Sequence, residues 1–134
     1  MIFMLDTDIC IYIINRKPAG VLKRLESLQP GQLAMSAITF AELMNGAKKS
    51  QHVEANLEKL NALSELLDIR PFDKQAAVFY GDVRSSLEKR GETIGGNDLL
   101  IAAHALSLGW TLVTNNEREF SRVDGLNIVN WAEE

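Results

Sequence analysis

The chain has 134 residues, of which 46% are hydrophobic and 24% are charged, as is typical of one globular domain covering residues 1–134. The net charge of −4 excludes a simple basic coat for nucleic acid, but leaves open an acidic centre inside a basic rim. No apolar run is long enough to span a membrane, and the single cysteine, Cys10, cannot form an internal disulfide. These features predict a protein of the reducing cytoplasm.

The first part of the chain alternates short apolar runs with helical patterns. Residues 2–5 predict a strand, and residues 9–14 predict a helix that Asp8 can cap. Residues 18–29 have apolar side chains at helical spacing and predict a second helix. Residues 32–36 predict a second strand.

A helical hairpin is expected in the middle of the chain. Thr39 precedes Glu42 by three residues, which is the pattern of a capping box at a helix start. This helix is predicted to end at residues 46–50, and a second helix with one apolar stripe covers residues 53–67. Residues 68–72 form a brief third extended segment.

The second half of the chain continues the alternation. Asp73 is the predicted cap of a long amphipathic helix, and a glycine-rich segment then leads into residues 99–106. That helix is apolar on nearly every side, so we expect it to be buried, and we expect Trp131 to pack the tail against the core. The remaining elements are strands at 110–113 and 126–129 and a helical turn at 117–120. Strands that alternate with helices predict an α/β fold, with a parallel sheet of four to five short strands between helices on both faces.

Polar side chains stand where the predicted strands end. They are Asp6, Thr7, Asp8, Ser36, Thr114, Asn115 and Asn116, and two further acids, Glu42 and Asp98, lie in the first turns of helices. Because the carboxyl ends of parallel strands meet at one edge of a sheet, these side chains can converge. Each acid also has a local explanation, since Asp98 could be a plain N-cap and Glu42 a capping-box acid.

Several converging carboxylates require a cation, because like charges at close range oppose each other's ionisation. Carboxylates without a histidine or cysteine set favour Mg²⁺ or Mn²⁺ over zinc. Such a cation suits hydrolysis of a phosphodiester by water, which leaves a 5′-phosphate and a 3′-hydroxyl. The predicted side chains that orient the acids or the attacking water are Thr7, Ser36, Thr114 and Asn116.

Taken together, these motifs resemble the PIN-domain family, and within it the VapC toxins of type II toxin–antitoxin systems. The motifs are the strand that ends in Asp-Thr, the helix with Ala41-Glu42-Leu43, the helix start at Asp98, and Thr114-Asn115-Asn116 followed by Glu119. The resemblance covers essentially the whole chain. It implies a three-layer α/β/α fold and a Mg²⁺- or Mn²⁺-dependent endoribonuclease that cuts structured RNA, with the anticodon region of initiator tRNA as the expected target. It also implies a homodimer that is inhibited by a VapB antitoxin in a larger assembly.

The resemblance assigns roles to five positions of this chain. Asp6, Glu42 and Asp98 match the three core acids and would bind the metal. Asn116 matches a position that is aspartate in many PIN domains, and Glu119 matches a nearby acid that could contribute through water.

Asp8 departs from the family pattern, since the usual triplet of close relatives is Asp-Thr-Asn. An asparagine at this position can donate a hydrogen bond, whereas an ionised aspartate can only accept one. Asp8 could therefore add a metal ligand or weaken the site by repulsion.

Two alternatives to an active ribonuclease share features with this sequence. A PIN-fold binding module that has lost catalysis is compatible with Asp8 and Asn116. A phosphatase of the haloacid-dehalogenase kind also begins with acids after a first strand, but its other residues cannot be assembled from this chain.

Two binding surfaces are also predicted. An antitoxin groove is expected between the helix at 9–14 and the hairpin at 39–67. The candidates for a basic rim that holds RNA are Lys48, Lys49, Arg84, Lys89, Arg90, Arg118 and Arg122.

Overall fold

The computed structural model describes residues 1–132, in which five short parallel strands form one sheet. The strands are β1 (Phe3–Leu5), β2 (Leu33–Ser36), β3 (Asp68–Arg70), β4 (Thr111–Val113) and β5 (Ile128–Val129), and they lie in the order β3-β2-β1-β4-β5. β1 is central and pairs with β2 on one side and with β4 on the other. All three residues of β1 are buried, as an apolar run at the centre of a parallel sheet should be.

Helices cover both faces of the sheet, which confirms the predicted three-layer α/β/α arrangement. They are α1 (Thr7–Asn15), α2 (Ala19–Glu26), α3 (Ala37–Lys48), α4 (Val53–Leu66), α5 (Lys74–Arg90), α6 (Gly96–Leu108) and α7 (Glu117–Phe120), with a 3-10 turn at Pro30–Gln32. No helix of the described residues is long and apolar enough to cross a membrane.

The alternation of side chains along β1 divides the core into two parts. Phe3 and Leu5 belong to the cluster beneath α1, α2 and α4, whereas Met4 belongs to the cluster beneath α5 and α6. α6 is buried on nearly every side, as predicted. Trp131 is fully buried with its ring 5.6 Å from that of Phe3, so the tail packs on the core as expected.

The structure corrects two predicted helix caps. Asp6, and not Asp8, caps α1, and Ser36, and not Thr39, caps α3. In both cases a residue at the end of the strand, Asp6 just after β1 and Ser36 as the last residue of β2, has extended backbone angles and a short polar side chain, so the helix begins at once. The capping box between Thr39 and Glu42 is therefore not formed.

Two further predictions about caps have different outcomes. Asp73 caps α5 by accepting a hydrogen bond from the backbone N–H of Ala76 at 3.0 Å, as predicted. Asp98 is not a cap, because α6 begins at Gly96 with Gly95 in the capping position. The carboxylate of Asp98 is therefore free for another role.

Candidate functional site

Five acids and their donors lie at the carboxyl ends of the two central strands, β1 and β4. The chain adds β2 and β3 on one side of β1, and β4 and β5 on its other side. The strand order therefore reverses between β1 and β4, and a crevice opens beyond the carboxyl ends of these two strands. The backbone N–H of Asp6 bonds the carbonyl of Val113 at 2.9 Å, which extends the pairing of these strands to the edge of the crevice. Asp6 and Thr114 are thereby fixed side by side.

The carboxylate of Asp6 is held by donors on both oxygens. Oδ1 accepts from the backbone N–H of Thr7 and Oδ2 accepts from the hydroxyl of Thr114, each at 2.7 Å. Asp6 is only 4% exposed. Burial, together with the nearby charge of Asp8, raises its pKa to about 7, although both hydrogen bonds act in the opposite direction.

Thr7 connects Asp6 with Glu42. Its hydroxyl donates to Oε1 of Glu42 at 2.7 Å, while its backbone N–H donates to Asp6. Glu42 lies in the second turn of α3 and its side chain points across to α1. The structure therefore brings together Asp6, Thr7 and Glu42, as the sequence predicted.

Asp98 enters the crevice from the first turn of α6. Burial is the largest cause of a pKa raised to about 7, and the charges of Glu119, Glu42 and Asp8 add to it. Gly95 leaves space for this carboxylate, since a Cβ there would lie 3.3 Å from Oδ2 of Asp98. The acids at the two ends of the crevice thus oppose each other's ionisation.

Asn116 and Glu119 complete the side of the crevice that follows β4. The side-chain amide of Asn116 donates to Oε2 of Glu119 at 2.5 Å and lies 3.5 Å from Oδ2 of Asp98. The backbone N–H of Gly95 donates to Oε1 of Glu119 at 3.1 Å. These donors lower the pKa of Glu119, with the amide of Asn116 as the largest cause.

Asp8 differs from the other acids of the crevice because one of its oxygens is buried without a hydrogen-bond donor. Its Oδ1 is buried and has no hydrogen-bond partner among the described residues. Burial raises the pKa of Asp8, and its charge contributes to the raised pKa values of Asp6 and Asp98. A buried carboxylate oxygen without a donor costs free energy unless a cation or water satisfies it.

Ser36 is directed away from the acids. Its hydroxyl accepts from the backbone N–H of Ile38 at 3.0 Å and lies 2.8 Å from Nδ1 of His104. His104 is 1% exposed, and burial lowers its pKa. The predicted role of Ser36 beside the acids is thus not supported by its contacts, because capping α3 and contacting α6 occupy the hydroxyl.

Three of the predicted rim arginines are engaged within the protein. Arg84 bonds Tyr80 and Glu88 inside α5, and Arg90 and Arg122 bond groups of the segments around the acids. Charge counting along the sequence treats every arginine as available, so it missed these contacts. The local signals were the i,i+4 spacing of Arg84 and Glu88 and the short spacing of Arg90 and Glu92.

An apolar groove of about 280 Å³ lies between α1 and the α3–α4 hairpin, where an antitoxin groove was predicted. Its apolar lining is Ile11, Ile14, Leu43, Ala47 and Leu60, and its polar lining is Thr7, Glu42 and Asn56. Thr7 and Glu42 line this groove and also belong to the acidic crevice, so the groove leads into the crevice.

The carboxylate oxygens that line the crevice are ligands that suit a hard divalent cation. The orphaned Oδ1 of Asp8 and the raised pKa values of Asp6 and Asp98 indicate a site that lacks positive charge. Among residues 1–132, however, no three His, Cys, Asp or Glu side chains converge on one point. A cation would therefore require side chains to turn toward it.

Comparisons with known proteins agree with this arrangement. The PIN domain family model matches residues 3–126. The chain is 45% identical to ribonuclease VapC2 of Rickettsia felis over 98% of both chains. It is 43% identical to the tRNA(fMet)-specific endonuclease VapC of Shigella flexneri, over 97% of this chain and 98% of that one.

Two solved structures have the same fold over nearly the whole chain. VapBC2 of Rickettsia felis, bound to a DNA fragment from its promoter, matches with a TM-score of 0.91 and 43% identity, over 98% of this chain and 99% of that chain. DNA-bound VapBC of Salmonella typhimurium matches with a TM-score of 0.93 and 39% identity, over 98% of both chains.

Proposed function

Since this chain belongs to the PIN-domain family and, within it, to the VapC ribonucleases, we propose that it cuts the anticodon loop of initiator tRNA. As a VapC ribonuclease it is a toxin of a toxin–antitoxin system and an endoribonuclease that depends on a divalent cation. The observation that carries the proposed target is the 43% identity to a relative named as a tRNA(fMet)-specific endonuclease. The cation we propose is Mg²⁺ or Mn²⁺, because the donors are carboxylates.

Asp6, Asp98 and Glu42 are the proposed metal ligands, and Asn116 and Glu119 complete the catalytic set. A divalent cation in this site would lower the pKa of the attacking water and stabilise the charge on the leaving 3′ oxygen. Support for these ligands comes from the donors that already hold them. Thr114 and Thr7 each donate a hydrogen bond of 2.7 Å to a carboxylate and leave its other lone pairs available.

The acids of the proposed catalytic set differ in how readily they ionise. Without a cation, Asp6 and Asp98, whose pKa values are raised to about 7, share the crevice as partly protonated groups at neutral pH. Glu119, whose pKa is lowered by Asn116, stays ionised and can accept a proton from a nearby water. We propose that the acids bind the cation and that Glu119 orients the water.

A VapB-type antitoxin is the proposed partner, and the groove between α1 and the α3–α4 hairpin is its proposed seat. The apolar lining suits a hydrophobic segment, and the end of the groove at Glu42 suits a basic side chain. The structures of VapBC complexes among its relatives support this partner. The same proposal includes three further properties of the protein. They are a single domain over residues 1–134, a homodimer within a larger complex, and a cytoplasmic location.

The test is cleavage of initiator tRNA by the purified chain in Mg²⁺, with both new RNA ends sequenced. We expect one cut in the anticodon loop, a 5′-phosphate and a 3′-hydroxyl, and no cut in an elongator tRNA. Asp98→Asn should abolish cleavage, whereas Asp82→Asn, an exposed aspartate of α5, should not. A 2′,3′-cyclic phosphate would overturn the mechanism, and equal cleavage of the elongator tRNA would overturn the target.

A further inference from the structure

The guanidinium of Arg90 joins three parts of the chain at the outer edge of the site. Its Nε bonds Glu92 at 3.1 Å, and its Nη1 bonds Ser86 at 3.3 Å and Asp124 at 2.9 Å. Its Nη2 donates to the backbone carbonyl of Arg122 at 2.5 Å. The end of α5, the residues after it and the loop that follows α7 are therefore fastened to one side chain.

Arg122 fastens the same segments a second time. Its Nη1 donates to the backbone carbonyl of Thr93 at 3.0 Å. Thr93 lies two residues before Gly95, whose N–H bonds Glu119, and Glu119 lies three residues before Arg122. The arginines on the outside and the bond between Gly95 and Glu119 on the inside thus hold the same two segments together.

These two segments carry acids of the site. The segment at 91–95 leads directly into the first turn of α6 with Asp98, and α7 carries Glu119. The carboxyl groups of Asp98 and Glu119 are close enough for each to shift the pKa of the other. A small change in the spacing of the segments would therefore change the spacing of these two acids.

Contact with RNA explains the environment of Arg90 less well. All three nitrogens of its guanidinium have acceptors within the protein, and two of the acceptors are carboxylates, Glu92 and Asp124. A phosphate would have to displace these partners and approach their negative charge. An exposed ion pair contributes little by itself, but the side chain of Arg90 makes four contacts and about two-thirds of it is covered.

We infer that Arg90 is a positioning residue of the ribonuclease: it clamps the 91–95 segment to the loop after α7 and so sets the spacing of Asp98 and Glu119. The inference rests on the proposed roles of these two acids. The name Arg90 clamp is used below for Arg90 with its partners Glu92, Arg122 and Asp124.

The test compares Arg90→Gln with Arg90→Lys and with Lys74→Gln. Lys74→Gln is the matched control, because it removes one positive charge from the exposed start of the same helix and leaves the Arg90 clamp intact. For Arg90→Gln we expect kcat to fall by about 10- to 100-fold, the range expected for misplacement of catalytic groups. KM and its dependence on salt should stay within about twofold, since no phosphate contact is lost. Arg90→Lys should recover part of kcat, and Lys74→Gln should resemble the wild type.

Two measurements do not depend on cleavage. Backbone amides at 93–95 should exchange hydrogen faster in Arg90→Gln than in the other two variants, and Mn²⁺ should bind more weakly. These results would stand even if initiator tRNA proved to be the wrong substrate. If Arg90→Gln does not fold, Asp124→Asn removes one partner of the clamp, and its smaller effects should have the same direction.

Two outcomes would overturn the inference. A raised KM with unchanged kcat and a weaker salt dependence would make Arg90 an RNA contact. Unchanged kcat, Mn²⁺ affinity and amide exchange in Arg90→Gln would show that the clamp does not position the acids.

Discussion

Replacing Asp98 by asparagine should stabilise the metal-free protein, although it destroys the site. Burial and the neighbouring acids raise the pKa of Asp98 from 3.8 to about 7 in the folded protein. Between these two values the folded state binds more protons than the unfolded state, so stability is lost as the pH rises through this window. Above pH 7 the wild type bears the full cost of an ionised Asp98, whereas the asparagine variant does not.

The size of the effect follows from the shift. About three pKa units at ~1.4 kcal/mol each give an upper limit of roughly 4 kcal/mol. Asp98 is partly exposed and part of its shift comes from Glu119, Glu42 and Asp8, so solvent screening and coupling reduce the expected gain to about 1–2 kcal/mol at pH 8. At pH 5 Asp98 is still mostly protonated in the folded wild type but already ionised in the unfolded state, so roughly 40% of the cost is present and the expected gain falls to about 0.4–0.8 kcal/mol.

Urea unfolding in a chelator at pH 5 and pH 8 measures both values, and Asp82→Asn serves as the control for loss of an exposed charge. Saturating Mn²⁺ should reverse the order at pH 8, because the cation stabilises the wild type by binding its folded state and loses a ligand in the variant. An Asp98→Asn protein that is less stable than the wild type at pH 8 in chelator would refute the argument from like charges. Equal stabilisation of both proteins by Mn²⁺ would refute Asp98 as a ligand.

Two further predictions concern the neighbours of Asp6. Asp8→Asn should increase cleavage of the same RNA, because the amide removes one repelling charge and can replace the unpartnered acceptor Oδ1 with an N–H that donates to a neighbouring carboxylate; equal or lower cleavage would contradict this. Thr114→Val should weaken Mn²⁺ binding at pH 7 by roughly tenfold, since it removes the 2.7 Å bond that holds Asp6 and lowers its pKa. Thr114→Ser should bind Mn²⁺ like the wild type in the same titration, and a Val variant that matches it would count against the bond.

The order and type of the elements were readable from the sequence, because the apolar patterns reflect burial on one or both sides. The nearly continuous apolar runs of β1 and α6 correspond to elements buried on every side. Helix starts were less accurate. The sequence could not distinguish Asp6 from Asp8 as the cap of α1, since both are suitable residues and the choice depends on where β1 ends.

The convergence of the acids was also predictable, because parallel strands bring their carboxyl ends to one edge of the sheet. The direction in which each small polar side chain points could not be predicted. Ser36 and Thr114 both follow buried strands, yet Thr114 bonds Asp6 while Ser36 bonds His104. Which of these occurs depends on the helix that packs over each strand end, and that is a property of the assembled fold.

The pairing of Arg90 with segments up to 34 residues away was likewise beyond the sequence. Local charge patterns identify partners within a helix, such as Arg84 and Glu88, but not partners brought close by the loop after α7. From the sequence alone, an arginine in the last turn of α5 could stabilise the C-terminal end of the helix, contact RNA or clamp distant segments together.

The two departures that the resemblance implies, at positions 8 and 116, change the charge of the site in opposite directions. Aspartate in place of asparagine at position 8 adds one negative charge, and Asn116 in place of aspartate removes one, so the number of acids is unchanged. What moves is the amide donor, which now holds Glu119 on the side of α7 at 2.5 Å. On the side of α1, Oδ1 of Asp8 is left without a donor. Thr114, Thr7 and Asn116 donate to the neighbouring acids, so the free-energy cost of the cation-free site comes from the unpartnered Oδ1 of Asp8 together with the ionisation of Asp6 and Asp98, whose pKa values are raised.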